Sequence, residues 1–474
     1  MQLTLAISHL FLAAVLLVTP PLSLAEDALS KRALDEQRRV NSLHLHAQLL
    51  CSGVFVSGRL AEDVIRDDLQ WRGYTFHDWS HTAWTIATER ETVTLTNTEG
   101  SASTEALAIH NPGHGCTLPV RDAPRRPRQS TLAAVERPLL NQPLPDHTSA
   151  AISAWLDRVF KSTADGESDA GAQNTRAVIV LQGGRIVAER YATGFGPTVP
   201  MLGWSMGKSV AAALLGVFAK ETPGFDIDEA APISRWSTHG DKRSAITTRH
   251  LLNMASGLQF ANPGKGDPLY YTDAHQHESV YFRPQDTREL VLQAPLVDRP
   301  GAVFAYRNTN TLSLMALIRQ GNESTRQNHN VWPYDRLFRP LGAESFVLEQ
   351  DHSGNFVISG FVYATARDWA RLGQLFLDEG KVEGQSLWPA NWTETVTMPS
   401  AAAPFYGGQV WLNTQRSFQS VPTDAYYFLG WLDQIVLVVP SMRLVIVRLG
   451  FSDQGGFREY FDPLLKSLLQ ILKD

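Results

Sequence analysis

The stretch LGWSMGKSV, residues 202–210, fits three short motifs and decides which fold the chain can adopt. As G-x-S-x-G, it places Ser205 on a sharp turn between a strand and a helix. As S-x-x-K, it places Lys208 one helical turn after Ser205, where an amine can meet a hydroxyl. It also approaches the phosphate-binding pattern G-x-x-x-x-G-K-[ST]. These alternatives imply different folds.

The phosphate-binding interpretation fails on spacing. Only three residues separate Gly203 from Gly207, one fewer than the motif requires, so the backbone N–H groups would be misdirected around a phosphate. The preceding segment GFGPTVPMLG is also not a buried strand, which a phosphate loop needs. We therefore exclude a nucleotide site here.

The S-x-x-K interpretation is favoured over the strand-turn-helix elbow. An elbow needs a buried strand directly before the serine, in a parallel sheet of alternating strands and helices, and the sequence indicates neither. The residues after Ser205, KSVAAALLGVFAK, predict a helix that is apolar on nearly every side and hence buried. A lysine held there has a lowered pKa and can activate the serine, while the helix N-terminus favours an oxyanion. The motif is short, and an N-capping serine with a surface lysine is the alternative it leaves open.

Tyr306-Arg307-Asn308 supplies a second motif about a hundred residues later. It follows a turn and precedes another apolar helix. A tyrosine between lysine and serine can relay a proton to the leaving group, and an asparagine amide can orient the lysine and a substrate carbonyl. A packed aromatic is the ordinary interpretation of Tyr306, but its position after S-x-x-K favours a catalytic one.

The two ends of the region after residue 145 predict one antiparallel sheet with helices packed on it. Four segments predict it: a helix at 146–160, a hairpin at 177–192, a hairpin at 434–450 and a helix at 457–474. The hairpins turn at Gly183-Gly184 and Pro440-Ser441, and residues 203–400 are mostly helical and rich in loops. We expect an α+β domain over 146–474.

The region before it predicts an exported protein with a small accessory module. LAISHLFLAAVLLV has the length of a signal-peptide core, and Ser23 and Ala25 are small residues at the cleavage positions, although MQLT lacks Lys or Arg. We expect residues 1–25 to be removed, leaving no stable membrane anchor. An uncleaved anchor is the alternative, but the run is short for a full span.

Residues 26–145 predict this small α+β module and a linker. It holds the only two cysteines, Cys51 and Cys116. An exported protein meets oxidising conditions, which favour a disulfide between these two cysteines. Two buried thiols are the alternative.

Composition excludes several functions. The chain has 474 residues, 43% of them hydrophobic and 19% charged, which is ordinary for globular proteins. A net charge of −6 gives no electrostatic footprint for nucleic acid or anionic lipid. The basic run RDAPRRPRQS is short and broken by prolines, so it is interpreted as a solvated linker.

Four segments resemble the beta-lactamase-related serine hydrolases, which include class C β-lactamases, D-alanyl-D-alanine carboxypeptidases, esterases and 6-aminohexanoate-dimer hydrolases. The segments are WSMGKSVAAALLGV, ITTRHLLNMASGL, FAYRNTNTLSLMALI and ATARDWARLGQLFLDEG. The resemblance covers about residues 150–474 and implies a beta-lactamase/transpeptidase-like fold. It implies cleavage of an amide or ester through an acyl-enzyme, without metal or cofactor. Ser205 would be the nucleophile, Lys208 the base and Tyr306 the proton shuttle.

The same resemblance implies that Asn308 supports the lysine and the substrate. It also implies that the oxyanion accepts hydrogen bonds from the backbone N–H of Ser205 and from one N–H of a strand near the C-terminus. Relatives carry K-[ST]-G or H-x-G on that strand, often as H-G-G-Q. Here the matching positions hold Trp431, Leu432, Asp433 and Gln434. The cation that holds a β-lactam carboxylate is thus missing, and Asp433 would oppose a developing negative charge unless it points away. We expect weak β-lactam turnover and a preference for neutral or amine-bearing substrates.

The loop DPLYYTDAHQHESVYF lies where relatives place residues that contact substrate. Tyr270, Tyr271 and Asp273 are the candidates. His275 and His277 lack an evident third ligand, so a surface loop is favoured over a metal site. The alternative function for the whole chain is a non-catalytic binder of penicillin or cell-wall peptides. The expected partner is in both cases a small molecule, and the sequence assigns no oligomeric state.

Overall fold

The computed structural model describes residues 22–70, 78–99, 103–120, 135, 137–161, 173–262, 272, 276–452 and 457–473, with side chains from residue 31 onward. The predicted signal peptide, residues 1–25, therefore lies outside the described residues except for its last four, which belong to the backbone of the first helix.

The strands, in chain order, are β1 (Thr82–Ala87), β2 (Thr92–Asn97), β3 (Thr104–Asn111), β4 (Gly115–Thr117), β5 (Gln173–Gln182), β6 (Arg185–Tyr191), β7 (Met201–Leu202), β8 (Val347–Leu348), β9 (Val362–Ala364), β10 (Lys381–Val382), β11 (Gln385–Ser386), β12 (Trp411–Leu412), β13 (Tyr426–Gly430), β14 (Gln434–Val439) and β15 (Leu444–Ser452). The helices are α1 (Leu22–Phe55), α2 (Ala61–Val64), α3 (Asp146–Val159), α4 (Gly207–Glu221), α5 (Thr248–Leu252), α6 (Gln276–Phe282), α7 (Thr287–Leu292), α8 (Asn308–Ser324), α9 (Arg339–Leu341), α10 (Ala366–Leu377), α11 (Trp392–Thr397) and α12 (Phe457–Ile471).

A six-stranded antiparallel sheet forms the centre of the second region, in the order β12-β13-β14-β15-β5-β6. Strand β15, near the end of the chain, pairs with β5, the first strand of the region. The two predicted hairpins are β5–β6 and β14–β15, and they lie side by side. The prediction of a sheet assembled from both termini is confirmed, as is the α+β class.

Alternating residues of these strands form two separate cores on the two faces of the sheet, because successive strand side chains point in opposite directions. Val178, Val180 and Leu437 pack under α3 and α12 on one face. Ile179 and Val436 belong to the larger core on the other face, which α10 covers. The region between the hairpins supplies helices α4 to α11 and a three-stranded sheet, β7-β9-β8.

The N-terminal region forms its own four-stranded sheet, β1-β2-β3-β4, with the long helix α1 packed on it. The predicted disulfide is present: Cys51 on α1 is bonded to Cys116 on β4, with a Cα–Cα distance of 6.0 Å. Leucines of α1 belong to the same continuous core as Trp369 of α10. The module is therefore packed directly on the second region, and its boundary at residue 145 stays a prediction. No helix in the described part of the chain is long and apolar enough to cross a membrane.

Candidate active site

Ser205 and Lys208 form a hydrogen-bonded pair at the start of α4. Ser205 lies in a short 3-10 turn, Trp204–Met206, that leads directly into the helix, and Lys208 follows in its first turn. The Nζ atom of Lys208 donates to Ser205 Oγ and to the carbonyl oxygen of Ser359, both at 2.9 Å. The pair meets because residues three apart lie on one face of a helix.

Burial gives Lys208 the chemistry of a base. Its side chain is only 1% exposed, and desolvation of the ammonium lowers the pKa of Lys208 from 10.5 to about 7. The amine is thus partly neutral at neutral pH and can take the proton of the Ser205 hydroxyl. This burial excludes the alternative of an N-capping serine beside a surface lysine.

The two glycines of the apparent G-x-S-x-G motif serve close packing. A Cβ on Gly207 would lie 2.1 Å from the carbonyl oxygen of Ile358, and one on Gly203 would lie 2.3 Å from the ring of Trp369. Strand β13 also ends against this turn, since a Cβ on Gly430 would lie 2.1 Å from the carbonyl oxygen of Gly203. The sheet next to Ser205 is antiparallel, so the strand-turn-helix elbow is excluded.

Tyr306, just before α8, completes the group. Lys208 Nζ lies 4.8 Å from the centroid of its ring, which also packs against Trp411 and Tyr406 with centroid distances of 5.4 and 6.0 Å. Burial raises the pKa of Tyr306 above its usual value, and a hydrogen-bond interaction with Ser205 opposes part of the rise. The phenol is therefore protonated at neutral pH and lies within reach of the serine.

Asn308 lies behind this group rather than in contact with Lys208. It is fully buried, and its amide donates to Tyr281 Oη at 2.8 Å. Tyr281 in turn donates to Ser359 Oγ at 3.1 Å, and the carbonyl oxygen of Ser359 accepts from Lys208. Asn308 is thus linked to the lysine through Tyr281 and Ser359, and its support of lysine and substrate stays a prediction.

The segment Trp431–Asp433 lines a cavity next to Ser205 that residues of α6 also line. The Trp431 ring meets Trp204 edge-on, with centroids 5.2 Å apart. Leu432 and Asp433 have φ values of 59° and 64°, in the left-handed region, although neither is glycine. Such conformations cost about 1 kcal/mol or more each and cluster at functional sites. The wall therefore keeps a backbone shape suited to glycine while carrying two side chains.

Asp433 faces the cavity and is largely desolvated. Burial raises the pKa of Asp433 from 3.8 to about 6, with the nearby guanidinium of Arg448 acting in the opposite direction. Arg448 itself is fully buried and donates to the carbonyl oxygens of Asp433 and Gly450 at 3.1 and 3.0 Å. The N–H groups of Arg448 are thus paired with backbone carbonyl oxygens. Arg448 therefore does not take the place of the basic side chain that is missing from the third motif.

Gln434 is part of the sheet and does not line the cavity in the described structure. It is 1% exposed, its Oε1 accepts from the backbone N–H of Gly450 at 3.0 Å, and its amide donates to three backbone carbonyls, including that of Gly450. The expectation that Gln434 contacts substrate is not supported by this position. Its side chain joins the start of β14 to β15.

These walls enclose a cavity of about 400 Å³, a volume typical of small-molecule sites. The lining residues are Leu45, Trp204, Ser205, His277, Glu278, Tyr281, Phe282, Tyr306, Trp411, Leu429, Gly430, Trp431, Leu432 and Asp433. The charged members of this set, Glu278 and Asp433, are both acidic.

Three of the candidates from the loop, Tyr270, Tyr271 and Asp273, lie outside the described residues, as does His275. His277 begins the turn of α6 that lines the cavity, and its Nδ1 accepts from the backbone N–H of Asn308 at 3.2 Å. In the described part of the chain, no group of three or more His, Cys, Asp or Glu side chains is arranged to hold a metal ion.

Sequence reasoning missed several residues of the site. Tyr281 and Ser359 link Asn308 to Lys208, and Leu45 comes from the N-terminal region. A local signal existed for one of them, since His277 and Tyr281 are four apart in the helical segment QHESVYF and so share a face. No local signal marks Leu45 or Ser359.

Comparison with known proteins identifies the family of the second region. The Beta-lactamase family model matches residues 159–466, more than half of the chain. A 6-aminohexanoate-dimer hydrolase from Paenarthrobacter ureafaciens is 26% identical over 284 residues, which are 58% of this chain and 68% of that protein.

Two solved structures show the same fold. A Bacillus anthracis protein provisionally named a 6-aminohexanoate-dimer hydrolase has a TM-score of 0.52 and 21% identity, covering 63% of this chain and 79% of its own. A family VIII carboxylesterase has a TM-score of 0.50 and 14% identity, covering 70% and 99%. The resemblance inferred from the four sequence segments is thereby confirmed. Because the family model matches residues 159–466, the chain belongs to the beta-lactamase family and is related to hydrolases of the beta-lactamase fold.

Proposed function

We propose that this chain cleaves an amide or ester through an acyl-enzyme on Ser205, with Lys208 as the base and Tyr306 as the proton relay. The observation that carries the proposal is the 2.9 Å contact between Lys208 Nζ and Ser205 Oγ, made by an amine that is buried and hence easily deprotonated. The tyrosine ring beside that amine supports it.

Acylation begins when the neutral Lys208 amine takes the Ser205 proton and Oγ attacks the substrate carbonyl carbon. Negative charge moves to the carbonyl oxygen, where the N–H of Ser205 and one from the Trp431–Asp433 wall would stabilise it. The carbon–nitrogen or carbon–oxygen bond then breaks. The leaving group takes a proton from Tyr306, which regains one from the Lys208 ammonium.

Deacylation reverses these roles with water as the nucleophile. Water gives a proton to Lys208 and attacks the acyl carbon, and Oγ leaves and recovers its proton. A carboxylic acid is released, and the enzyme returns to its starting state.

The cavity favours neutral or amine-bearing substrates. Glu278 and Asp433 are the charged residues of its described lining, and a carboxylate near the reacting centre would meet repulsion there. Penicillins carry such a carboxylate, so we propose that this enzyme turns over β-lactams poorly. The names of the compared proteins, 6-aminohexanoate-dimer hydrolase and family VIII carboxylesterase, are compatible with this proposal.

We further propose that the protein is exported and that its signal is cleaved after Ala25. The Cys51–Cys116 disulfide supports this location, because disulfides form and persist in oxidising compartments.

The function is tested by pairing Ser205→Ala with Ser209→Ala. Both remove a hydroxyl near the start of α4, but Ser209 Oγ donates to the carbonyl oxygen of Gln409, and Ser209 does not line the cavity in the described structure. We expect Ser205→Ala to abolish hydrolysis of nitrophenyl esters and aminoacyl amides, and Ser209→Ala to retain it. Intact mass after reaction with a fluorophosphonate should show one adduct in wild type and none in Ser205→Ala.

One observation favours a second function, a non-catalytic binder of penicillin or cell-wall peptides. Asp433 and Leu432 occupy left-handed positions beside the reacting serine, and a charged wall there can block turnover without blocking binding. Labelling of Ser205 in a protein that hydrolyses none of the esters or amides would establish this alternative.

A further inference from the structure

Helix α1 of the N-terminal region reaches the cavity. Leu45, on α1, lines the same cavity as Ser205 and is 3% exposed. Helix α1 packs against α6, which supplies Tyr281 and Phe282 to the adjoining wall. Leu45 lies outside residues 159–466, the part that matches the family model. The wall is thus completed by a segment foreign to the matched domain.

A buried polar contact fixes α1 in this position. Glu349, between β8 and β9, accepts hydrogen bonds from Ser52 Oγ at 2.6 Å and Gln48 Nε2 at 2.8 Å, both on α1. The same carboxylate accepts from the backbone N–H of Cys116 at 2.8 Å. Because Cys116 is bonded to Cys51 of α1, one side chain of the second region holds both the helix and the strand that the disulfide joins.

Further contacts hold the ends of the interface. Thr117 Oγ1 donates to the carbonyl oxygen of Gln350, and Ser57 Oγ to that of Pro200, both at 2.7 Å. Arg176 of β5 forms a 2.7 Å ion pair with Asp68. Because α1 is held at several separate points, Leu45 has a fixed position in the cavity wall. The limit that its side chain sets on the length of the cavity is therefore also fixed.

We propose that Leu45 sets the length of the apolar group that the substrate site accepts, so that the N-terminal module acts as a specificity element of the hydrolase. The inference rests on the proposed function. Leu45 is the one residue of the described N-terminal region that lines the cavity, and it offers only aliphatic surface. The group that contacts Leu45 is therefore the apolar acyl or leaving group of an ester or amide. Adding or removing one methylene in such a group changes kcat/KM by about tenfold or more.

The test measures kcat/KM for nitrophenyl acetate, butyrate, hexanoate and octanoate with variants of α1. Leu45→Ala should raise the ratio of octanoate to acetate by about tenfold, and Leu45→Trp should lower it by a similar factor. Leu49→Ala is the matched control: Leu49 lies one turn further along α1, is 7% exposed in the same core, and does not line the cavity in the described structure. Its ratio should equal that of wild type.

Ratios between substrates do not depend on how much of a preparation is folded, so partial unfolding does not obscure the result. If Leu45→Ala yields no folded protein, Leu45→Val should still move the ratio in the same direction by a smaller factor. Identical ratios in wild type, the Leu45 variants and Leu49→Ala would overturn the inference. That outcome leaves the proposed function intact as long as Ser205→Ala is inactive; hydrolysis by Ser205→Ala would overturn the function itself.

Discussion

The ring of Tyr306 covers the amine of Lys208, with Nζ 4.8 Å from the ring centroid. The same nitrogen bonds to Ser205 Oγ at 2.9 Å. The aromatic face shields the lysine from water while the phenol remains beside the serine. In the proposed mechanism, one residue thus packs on the base and also offers a proton route to the leaving group.

Activity should follow the deprotonation of Lys208. Because burial lowers the pKa of Lys208 to about 7, kcat/KM for a neutral ester should rise with pH, reach half its maximum near pH 7, and level off above it. Lys208→Arg should lose about a hundredfold or more, since a guanidinium does not deprotonate. A Lys208→Arg variant that keeps the wild-type rate and pH profile would contradict the proposed base.

Removal of the Tyr306 hydroxyl should slow the chemical step without unfolding the protein. We expect Tyr306→Phe to lower kcat by about a hundredfold or more, the scale of general acid–base catalysis, while the ring keeps its contacts with Trp411. Tyr406→Phe is the control, because Tyr406 packs edge-on against Tyr306 but does not line the cavity in the described structure. Equal losses in both variants would show that Tyr306 acts only through packing.

Neutralising Asp433 should relieve the repulsion of anionic substrates. The pKa of Asp433 is raised by burial to about 6, so the group is ionised at neutral pH. Asp433→Asn should raise kcat/KM for benzylpenicillin several-fold relative to a neutral ester at pH 7.5. In wild type the same ratio should rise as the pH falls through 6. A ratio unaffected by both changes would remove Asp433 from substrate selection.

The carboxyl group of Glu349 should make stability depend on pH. Burial raises the pKa of Glu349 from 4.5 to about 7 in the folded protein. Between these values the folded state binds more protons than the unfolded state, so the free energy of unfolding should fall by about 3 kcal/mol as the pH rises from 4.5 to 7. Above pH 7 this contribution is flat.

Urea denaturation of wild type and Glu349→Gln across that range measures the effect. The variant should lack this part of the pH slope. Glu394→Gln, which changes an exposed glutamate of α11, should keep the wild-type slope. Parallel slopes in wild type and Glu349→Gln would refute the assignment.

The fold could be predicted where the determining pattern is local. The hairpin turns at Gly183-Gly184 and Pro440-Ser441 are encoded by adjacent residues, and both appear at the expected places. The Ser205–Lys208 pair is likewise fixed by a three-residue helical spacing.

The rest of the site depends on packing between distant segments. Asn308 carries the expected motif position, but Tyr281 from another helix takes the place between it and the lysine. Gln434 occupies the expected strand, yet its amide is consumed by the backbone of β15. Side chains of successive strand residues point to opposite faces of a sheet. The left-handed φ values of Leu432 and Asp433 interrupt this alternation, so the strand pattern does not predict the direction of the Asp433 side chain.

Because the hydrophobic core continues beneath α1, the part of the chain that must fold together is larger than the segment that matches the family model. A fragment starting near residue 146 would strip Leu43 and Leu50 from the core shared with Trp369 and leave the carboxyl of Glu349 without its three donors. Trimming this protein to its homologous segment would thus produce an aggregation-prone remnant with one side of its cavity missing. A chimera that uses the catalytic region of this chain therefore needs to carry helix α1 along with it.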